Sequence, residues 1–229
     1  LFKDTDFAVF KSVVEANGLI KAMFVPAENG TFSRKDTDSF TEVVKPHGGK
    51  GVAFYKVNGG ERAAGISKFI TDDIHNALCA LDENAGDGTW LFFADANAET
   101  SHACADALRR HLGKKLNLLK DGYHFLWVND FPLFEWTENH GRYVSCHHPF
   151  TQVKKEEEEK FMSATEADIT NKDSFIKDLC AEAYDVVCNG YELGGGSLRI
   201  HNTEVQNQMF KVLGMSEEET QHQFGFFIE

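Results

Sequence analysis

The sequence predicts an α+β fold with antiparallel strands, and three observations carry that expectation. Strand-length apolar runs alternate with helix-period segments between residues ~18 and ~118. Turn chemistry, above all Asn189-Gly190, folds neighbouring strands into hairpins. Helix starts and stops fall where capping residues stand. With 229 residues the chain can build one large domain or two modest ones, each with its own core.

Phe7 to Phe10 is a short apolar run expected as a strand that joins a core, and Val13 to Gly18 follows as a turn or short helical piece. Leu19 to Val25 reads as a strand closed by Pro26 and Asn29-Gly30. Ser33 and Asp36 resemble a helix start, with Phe40, Val43 and Val44 on its apolar face and Pro46, Gly48 and Gly49 at its end. Gly51 to Val57 is a second strand, turned by Asn58-Gly59-Gly60. Thr71 caps a helix expected to reach Leu81, with Ile74, Ala77, Leu78 and Leu81 on one face. Gly86-Asp87-Gly88 breaks the chain before the fully apolar strand Thr89 to Phe93. A helix from about Glu99 to Leu112 is expected to end on a left-handed Gly113. No Gly-x-Gly-x-x-Gly stands between a strand and a helix, and no Gly-Lys-Ser/Thr is present, which argues against a nucleotide-binding domain in this half.

After Gly122 the composition turns aromatic. Tyr123 to Asp130 reads as a buried strand stopped by Phe131-Pro132. Phe134 to Trp136 and Arg142 to His148 form a hairpin around Asn139-His140-Gly141. Lys154 to Met162, with the acidic run Glu156 to Glu159, reads as a solvated helix or loop. Four adjacent glutamates on a helix point in different directions and make a poor metal site. Asn171 to Ala183 is expected as a helix with Phe175, Ile176 and Leu179 inward. Tyr184 to Val187 is a strand, followed by the Asn189-Gly190 turn and a strand carrying Glu192, Gly194-Gly195-Gly196 and Arg199. Thr203 to Leu213 is a helix ending at Gly214, and Ser216 to Glu219 starts the last helix with acids at its positive end.

Three glycines in a strand lose backbone entropy and pack nothing, which makes sense where something must approach the backbone closely. Glu192 and Arg199 lie an odd number of residues apart, so a regular strand would put them on opposite faces; a bulge in the glycines would bring both to one. A small-molecule site with an acid, a guanidinium and open backbone is one reading. A tight hairpin with a surface ion pair is the other. Ser197 lacks a Gly-x-Ser-x-Gly elbow, which removes it as a nucleophile. Cys146, His147 and Cys188 have no zinc-ligand spacing, and free buried cysteines acting as small apolar residues account for them better. Of the neighbours His147 and His148, at most one faces any one ligand.

The formal net charge of -13 repels phosphate backbones, so the chain by itself is expected to be a poor nucleic-acid binder. No apolar run approaches the ~20 residues that span a bilayer, so no membrane partner is expected. Five cysteines without a pairing pattern suit a reducing compartment, either the cytoplasm or an organelle matrix. The chain opens on Leu1, has its first methionine at Met23, and stops at Glu229 directly after an apolar run, as an excised piece of a longer protein would.

Asp185 to Asn202, read as DVVCNGYELGGGSLRIHN, closely resembles the segment before the last signature motif of bacterial-type aspartyl-tRNA synthetases. Phe131-Pro-Leu-Phe134, Cys146-His-His-Pro-Phe-Thr151 and Phe224-Gly-Phe226 recur in the same order, and the likeness spans nearly the whole chain. It implies a class II synthetase-like antiparallel sheet, present in part. That sheet would be formed by segments 1–17 and 119–229, interrupted over 18–118 by the insertion called the GAD domain. It further implies that Arg199 pairs with the side-chain carboxylate of L-aspartate, and that His147 touches that ligand with His148 in support. Glu192 and Asp185 would hold Mg2+ on ATP. The longer enzyme would be a homodimer that activates aspartate with ATP and transfers it to tRNA. The motifs for ATP and dimer formation are not in this chain, so the piece alone is expected to be inactive. The alternative is a GAD-containing binding module of a tRNA-dependent amidotransferase subunit, which would not need the segments around His147 and Arg199.

Overall fold

A computed structural model describes residues 1–83 and 85–228, with the side chains of residues 217, 227 and 228 left aside. The fold is α+β, with every strand pairing antiparallel. The chain divides into two compact units, Leu1–Asp121 and Gly122–Glu229.

The first unit runs α1 (Ala8–Glu15), β1 (Leu19–Pro26), α2 (Arg34–Val44), β2 (Ala53–Asn58), β3 (Glu61–Ala63), α3 (Asp72–Cys79), β4 (Gly88–Asp95) and α4 (Ala98–Lys115). Its sheet has the order β1-β4-β2-β3. The apolar run of β4 is explained by its central place, since both of its faces are covered. Trp90 and Phe92 join a core with Phe2, Phe10, Tyr55 and Leu78. Leu91 and Phe93 join another with Phe40, Val44, Leu108 and Leu112 of α2 and α4. Ser33 and Asp36 close a reciprocal capping box on α2, and Thr71 accepts the Ile74 N–H at the start of α3.

Three expectations fail here. Phe7 to Phe10 is no strand: Phe7 caps α1, and Phe10 and Val13 are buried at helical spacing. Helix α3 stops at Cys79, leaving Leu81 76% exposed. Helix α4 runs past Gly113 to Lys115 because Leu116 packs on the core. The left-handed residue is Asn117 (φ 55), with Leu118 N–H bonded to Gly113 C=O and Asn117 N–H to Lys114 C=O.

The second unit contains β5 (Phe125–Val128), β6 (Phe134–Thr137), β7 (Arg142–Ser145), α5 (Glu158–Met162), α6 (Glu166–Ile169), β8 (Ala183–Cys188), β9 (Tyr191–Ser197), α7 (Thr203–Val212) and α8 (Glu217–Ile228). Strands β5-β8-β9 form one sheet and β6-β7 another. The strands of 119–229, expected in one antiparallel sheet, therefore divide between two. Single bridges Pro132–Cys180, Thr151–Arg199 and Val153–Ala181 lie outside the ladders. The core gathers Phe134, Tyr143, Phe161, Ile176, Leu179 and Met209, among others.

The buried strand expected at Tyr123 to Asp130 is the short edge strand β5, whose Phe125, Leu126 and Trp127 are 64%, 54% and 62% exposed. The helix expected at Asn171 to Ala183 is only a 3-10 turn over Phe175–Asp178. Asn171 draws the Asp173 and Ser174 N–H groups into local turns, and Leu179 and Ala181 go extended to bond Leu133 and Phe131. Ile176 and Leu179 still reach the core as expected. The acidic stretch is pinned by its own carboxylates: Glu157 accepts the Cys180 N–H at 2.7 Å.

Candidate functional site

The site grows from the β8–β9 hairpin. Asn189 and Gly190 have φ of 51° and 85°, the left-handed pair that a twisted two-residue hairpin needs. The Asn189 side chain accepts the His124 N–H at 2.9 Å and donates to the Gly122 carbonyl at 3.0 Å, fixing the tip to the chain that enters β5.

Along the ladder Val186 faces Gly194, but Val187 faces Glu192, so Leu193 is an extra, bulged residue. This bulge resets the alternation. Glu192 shares a face with Val187, Gly195 with Asp185, and Ser197 with Ala183. The guanidinium of Arg199 donates to the Ser197 hydroxyl, which puts it on that face too. Asp185, Glu192 and Arg199 therefore point to one side of the sheet. The opposite face carries Trp127 and Tyr184 in edge-to-face contact, centroids 5.8 Å apart.

The glycines are approached by the neighbouring strand. A Cβ on Gly195 would stand 2.0 Å from the Asp185 carboxylate, and one on Gly196 would stand 2.9 Å from the Tyr184 hydroxyl. Open backbone at these positions makes room for those two side chains.

Beyond β9, Gln152 N–H bonds Leu198 C=O at 3.0 Å and Ile200 N–H bonds Phe150 C=O at 2.9 Å. These bonds clamp the loop after β7 against the strand end, and the buried Gln206 of α7 donates to Pro149 C=O at 2.7 Å. A cavity of about 450 Å³ results, lined by His148, Phe150, Arg199, Ile200, His201, Asn202, Thr203 and Gln206. The His148 Nδ1 accepts the Phe150 N–H at 3.2 Å, leaving Nε2 as the nitrogen free to carry the ring proton. Burial, followed by the charge of Arg199 and then His147, holds the His148 imidazole below its ordinary pKa and favours the neutral form. Asn202 caps α7 by accepting the Glu204 N–H at 2.8 Å, so the positive end of a ten-residue helix also opens here. A cationic fork, a neutral imidazole and a helix start make a pocket suited to a small anionic group in a chain of net charge -13.

Arg199 and His148 thus meet in one cavity, while Asp185 and Glu192 share the sheet face of Arg199. His147 is exposed and lies outside the cavity, its ring edge-on to Phe131 at 5.2 Å. Residue-type reasoning overlooked His201 and Gln206; Gln206 stands four residues after the Asn202 cap, on the turn that faces the loop. Cys146 lies beside the site, its thiol pushed up to about 11 by burial and then by the charge of Glu135.

Two acids on one face, Asp185 and Glu192, fit a Mg2+ that arrives on a polyphosphate and needs only one or two protein carboxylates. Among the described residues no three His, Cys, Asp or Glu side chains group as a self-sufficient metal site. No helix among them is long and apolar enough to cross a membrane.

A family profile described as tRNA synthetases class II (D, K and N) matches residues 29–229. An aspartate–tRNA ligase of Listeria monocytogenes is 45% identical over 228 residues, 99% of this chain and 36% of the relative. One from Enterococcus faecalis is 42% identical, with 99% and 36% covered. An aspartate–tRNA(Asp/Asn) ligase of Hydrogenobaculum is 41% identical over 233 residues, with 100% and 38% covered. The chain spans little more than a third of the length of these relatives.

Proposed function

The chain belongs to the class II tRNA synthetases (D, K and N), and on that premise we propose that it supplies the amino-acid side-chain wall of an aspartate–tRNA ligase. The observation that carries the reading is Arg199 lining one cavity with His148 while sharing a sheet face with Asp185 and Glu192.

In this reading the planar, permanently charged Arg199 takes the substrate's side-chain carboxylate in two parallel hydrogen bonds. The amide of asparagine offers no second acceptor for that fork. Release of Arg199 from the Ser197 hydroxyl accompanies binding. The neutral His148 donates from Nε2 to the bound amino acid, taking the contact expected of His147, which lies outside the cavity. Glu192 and Asp185 would hold Mg2+ carried by ATP, which when bound would supply neutralisation of phosphate charge. The substrate's α-carboxylate oxygen attacks the α-phosphorus, the bond to the pyrophosphate oxygen breaks, and aspartyl-adenylate forms. The terminal adenosine hydroxyl of tRNA then attacks the activated carbonyl and AMP leaves. The protein's part is positioning and charge stabilisation, without a covalent enzyme intermediate.

Residues 18–118 would be the GAD insertion. ATP, tRNA and a second subunit would be engaged by the longer enzyme, in a bacterial cytoplasm. The net charge of -13 supports placing the tRNA contacts elsewhere. The test is a chimera in which this chain replaces the matching third of the Listeria relative. Aspartate-dependent exchange between pyrophosphate and ATP should be retained and should reject asparagine. A chimera that folds but activates neither amino acid would overturn the reading.

A further inference from the structure

The first unit holds a groove of about 960 Å³ that none of the chemistry above uses. Five consecutive residues of β1, Ile20 to Phe24, line it. Successive strand residues point to opposite faces, so a cavity that touches all five runs along the strand's edge. β1 is the outer strand of its sheet. One wall is a helical stripe of α4, His102, Ala105, Asp106 and Arg109, at the spacing of a single face. The other wall is largely apolar, with Phe2, Val14, Leu78 and Leu81, and carries one acid, Asp82.

The edge itself is unpaired. The bond from Ala27 N–H to Asp87 C=O, 2.9 Å, continues the β1–β4 ladder from the Pro26–Gly88 pair. Bonded and non-bonded pairs alternate in an antiparallel ladder. Leu19, Lys21, Met23 and Val25 therefore bond to β4, and Ile20, Ala22 and Phe24 turn their N–H and C=O groups into the groove. No hydrogen bond among the described residues uses these six groups. Pro26, which has no N–H, stands where the next outward donor would be.

We propose that this edge accepts an extended segment of another polypeptide as an added strand, with acidic side chains alternating with aliphatic ones. Alternation follows from the two walls. Side chains pointing one way meet Lys21, His102 and Arg109, and those pointing the other way meet Leu78 and Leu81. Charge selects the acidic kind. Lys21 Nζ has only the His102 imidazole, at 2.6 Å, and no carboxylate partner among the described residues. Asp106 is already held by Arg109 at 2.8 Å and Arg110 at 3.1 Å. Across the whole lining Lys3, Lys21 and Arg109 outnumber Asp82 and Asp106, a cationic excess beside open backbone in a chain of net charge -13. The helical walls admit a single strand but block the flat approach of a second sheet.

The probe is a fluorescein-labelled ten-residue peptide alternating glutamate and valine, titrated against the intact chain by anisotropy, with amide hydrogen exchange read in parallel. Saturable binding should slow exchange at the Ile20, Ala22 and Phe24 amides. Ala22→Pro removes one outward donor and no ladder bond, and should weaken binding about tenfold, the worth of one hydrogen bond. Lys21→Glu, or methylation of alternate peptide amides, should weaken it at least as much. The latter two carry the test if the proline variant loses its native circular dichroism. Absence of saturable binding, or binding that leaves those three amides unprotected, overturns the proposal. So does self-association of the chain that Lys21→Glu abolishes, since the edge would then serve a second copy.

Discussion

Glu192 and Arg199, seven residues apart on one stretch of chain, face the same side of their sheet because Leu193 is bulged out between them. An odd spacing becomes an even one through a single extra residue. Asp185, two residues before the Val187 that opposes Glu192, joins them on that face. The hairpin thus sorts acids and guanidinium to one side and leaves the aromatic Trp127 and Tyr184 on the other.

Gly195 keeps this arrangement open. In Gly195→Ala the new methyl would stand 2.0 Å from the Asp185 carboxylate, which can rotate away, and 3.1 Å from the Tyr184 carbonyl, which must give by a few tenths of an ångström. The expected outcome in the chimera is loss of ATP-dependent exchange with little change in thermal midpoint. Unchanged exchange would remove Asp185 from the phosphate side of the site.

Gly113 makes the opposite case. It sits inside α4, and an added Cβ would meet only the Leu119 methyl at 3.7 Å. Gly113→Ala should stabilise the first unit by roughly 0.5–1 kcal/mol, the helix-interior difference between the two residues. Urea unfolding checks it. A destabilised variant would mean the helix ends there after all.

Which parts of the fold were legible in sequence follows from range. Capping at Ser33 and Thr71 and the Asn189-Gly190 turn are local chemistry and stand where read. Phe7 to Phe10 misled because four apolar residues fit a strand as well as a helix, and only Val13 fixes the period. The Asn171 to Ala183 segment misled because local side-chain bonds and long-range pairing of Ala181 with Phe131 outweigh its helical pattern. At the site, the shared face of Glu192 and Arg199 was foreseeable as a bulge. That the glycines shelter Asp185 and Tyr184, and that His148 meets Arg199, depended on strand register, which residue types alone do not reveal.

His148 reports on Arg199 through its proton. Its pKa is held down by burial, by Arg199 and by His147, so the unfolded chain takes the proton more readily. Stability should therefore be lost as pH falls below the ordinary value of 6.5 and be present above it. Arg199→Gln removes one of the three causes, and His148 should then titrate at a higher pH in an NMR titration of its ring protons. An unmoved or lowered midpoint would separate the two side chains.

Cys146 should be a slow thiol. Burial and Glu135 raise it from 9.0 to about 11, so near neutral pH its thiolate fraction is about a hundredfold smaller than that of an ordinary cysteine. Iodoacetamide labelling at pH 8, followed by peptide mass spectrometry, should show that lag. Glu135→Gln should shorten it.

Arg199→Lys in the chimera tests the assignment of the substrate's carboxylate. Lysine keeps the charge and loses the fork, so one directed, charge-assisted hydrogen bond disappears. Such a bond is worth ~1.5–3 kcal/mol, roughly ten- to over a hundredfold in selectivity for aspartate. The fold should hold, because Arg199 is exposed and its hydrogen bonds reach only the Ser197 hydroxyl and carbonyl, two residues away. The Michaelis constant for ATP should move far less than that for aspartate, since the guanidinium faces the amino acid in this arrangement. A variant that keeps its preference for aspartate over asparagine but loses ATP affinity would make Arg199 a phosphate ligand and move the amino acid to another part of the cavity.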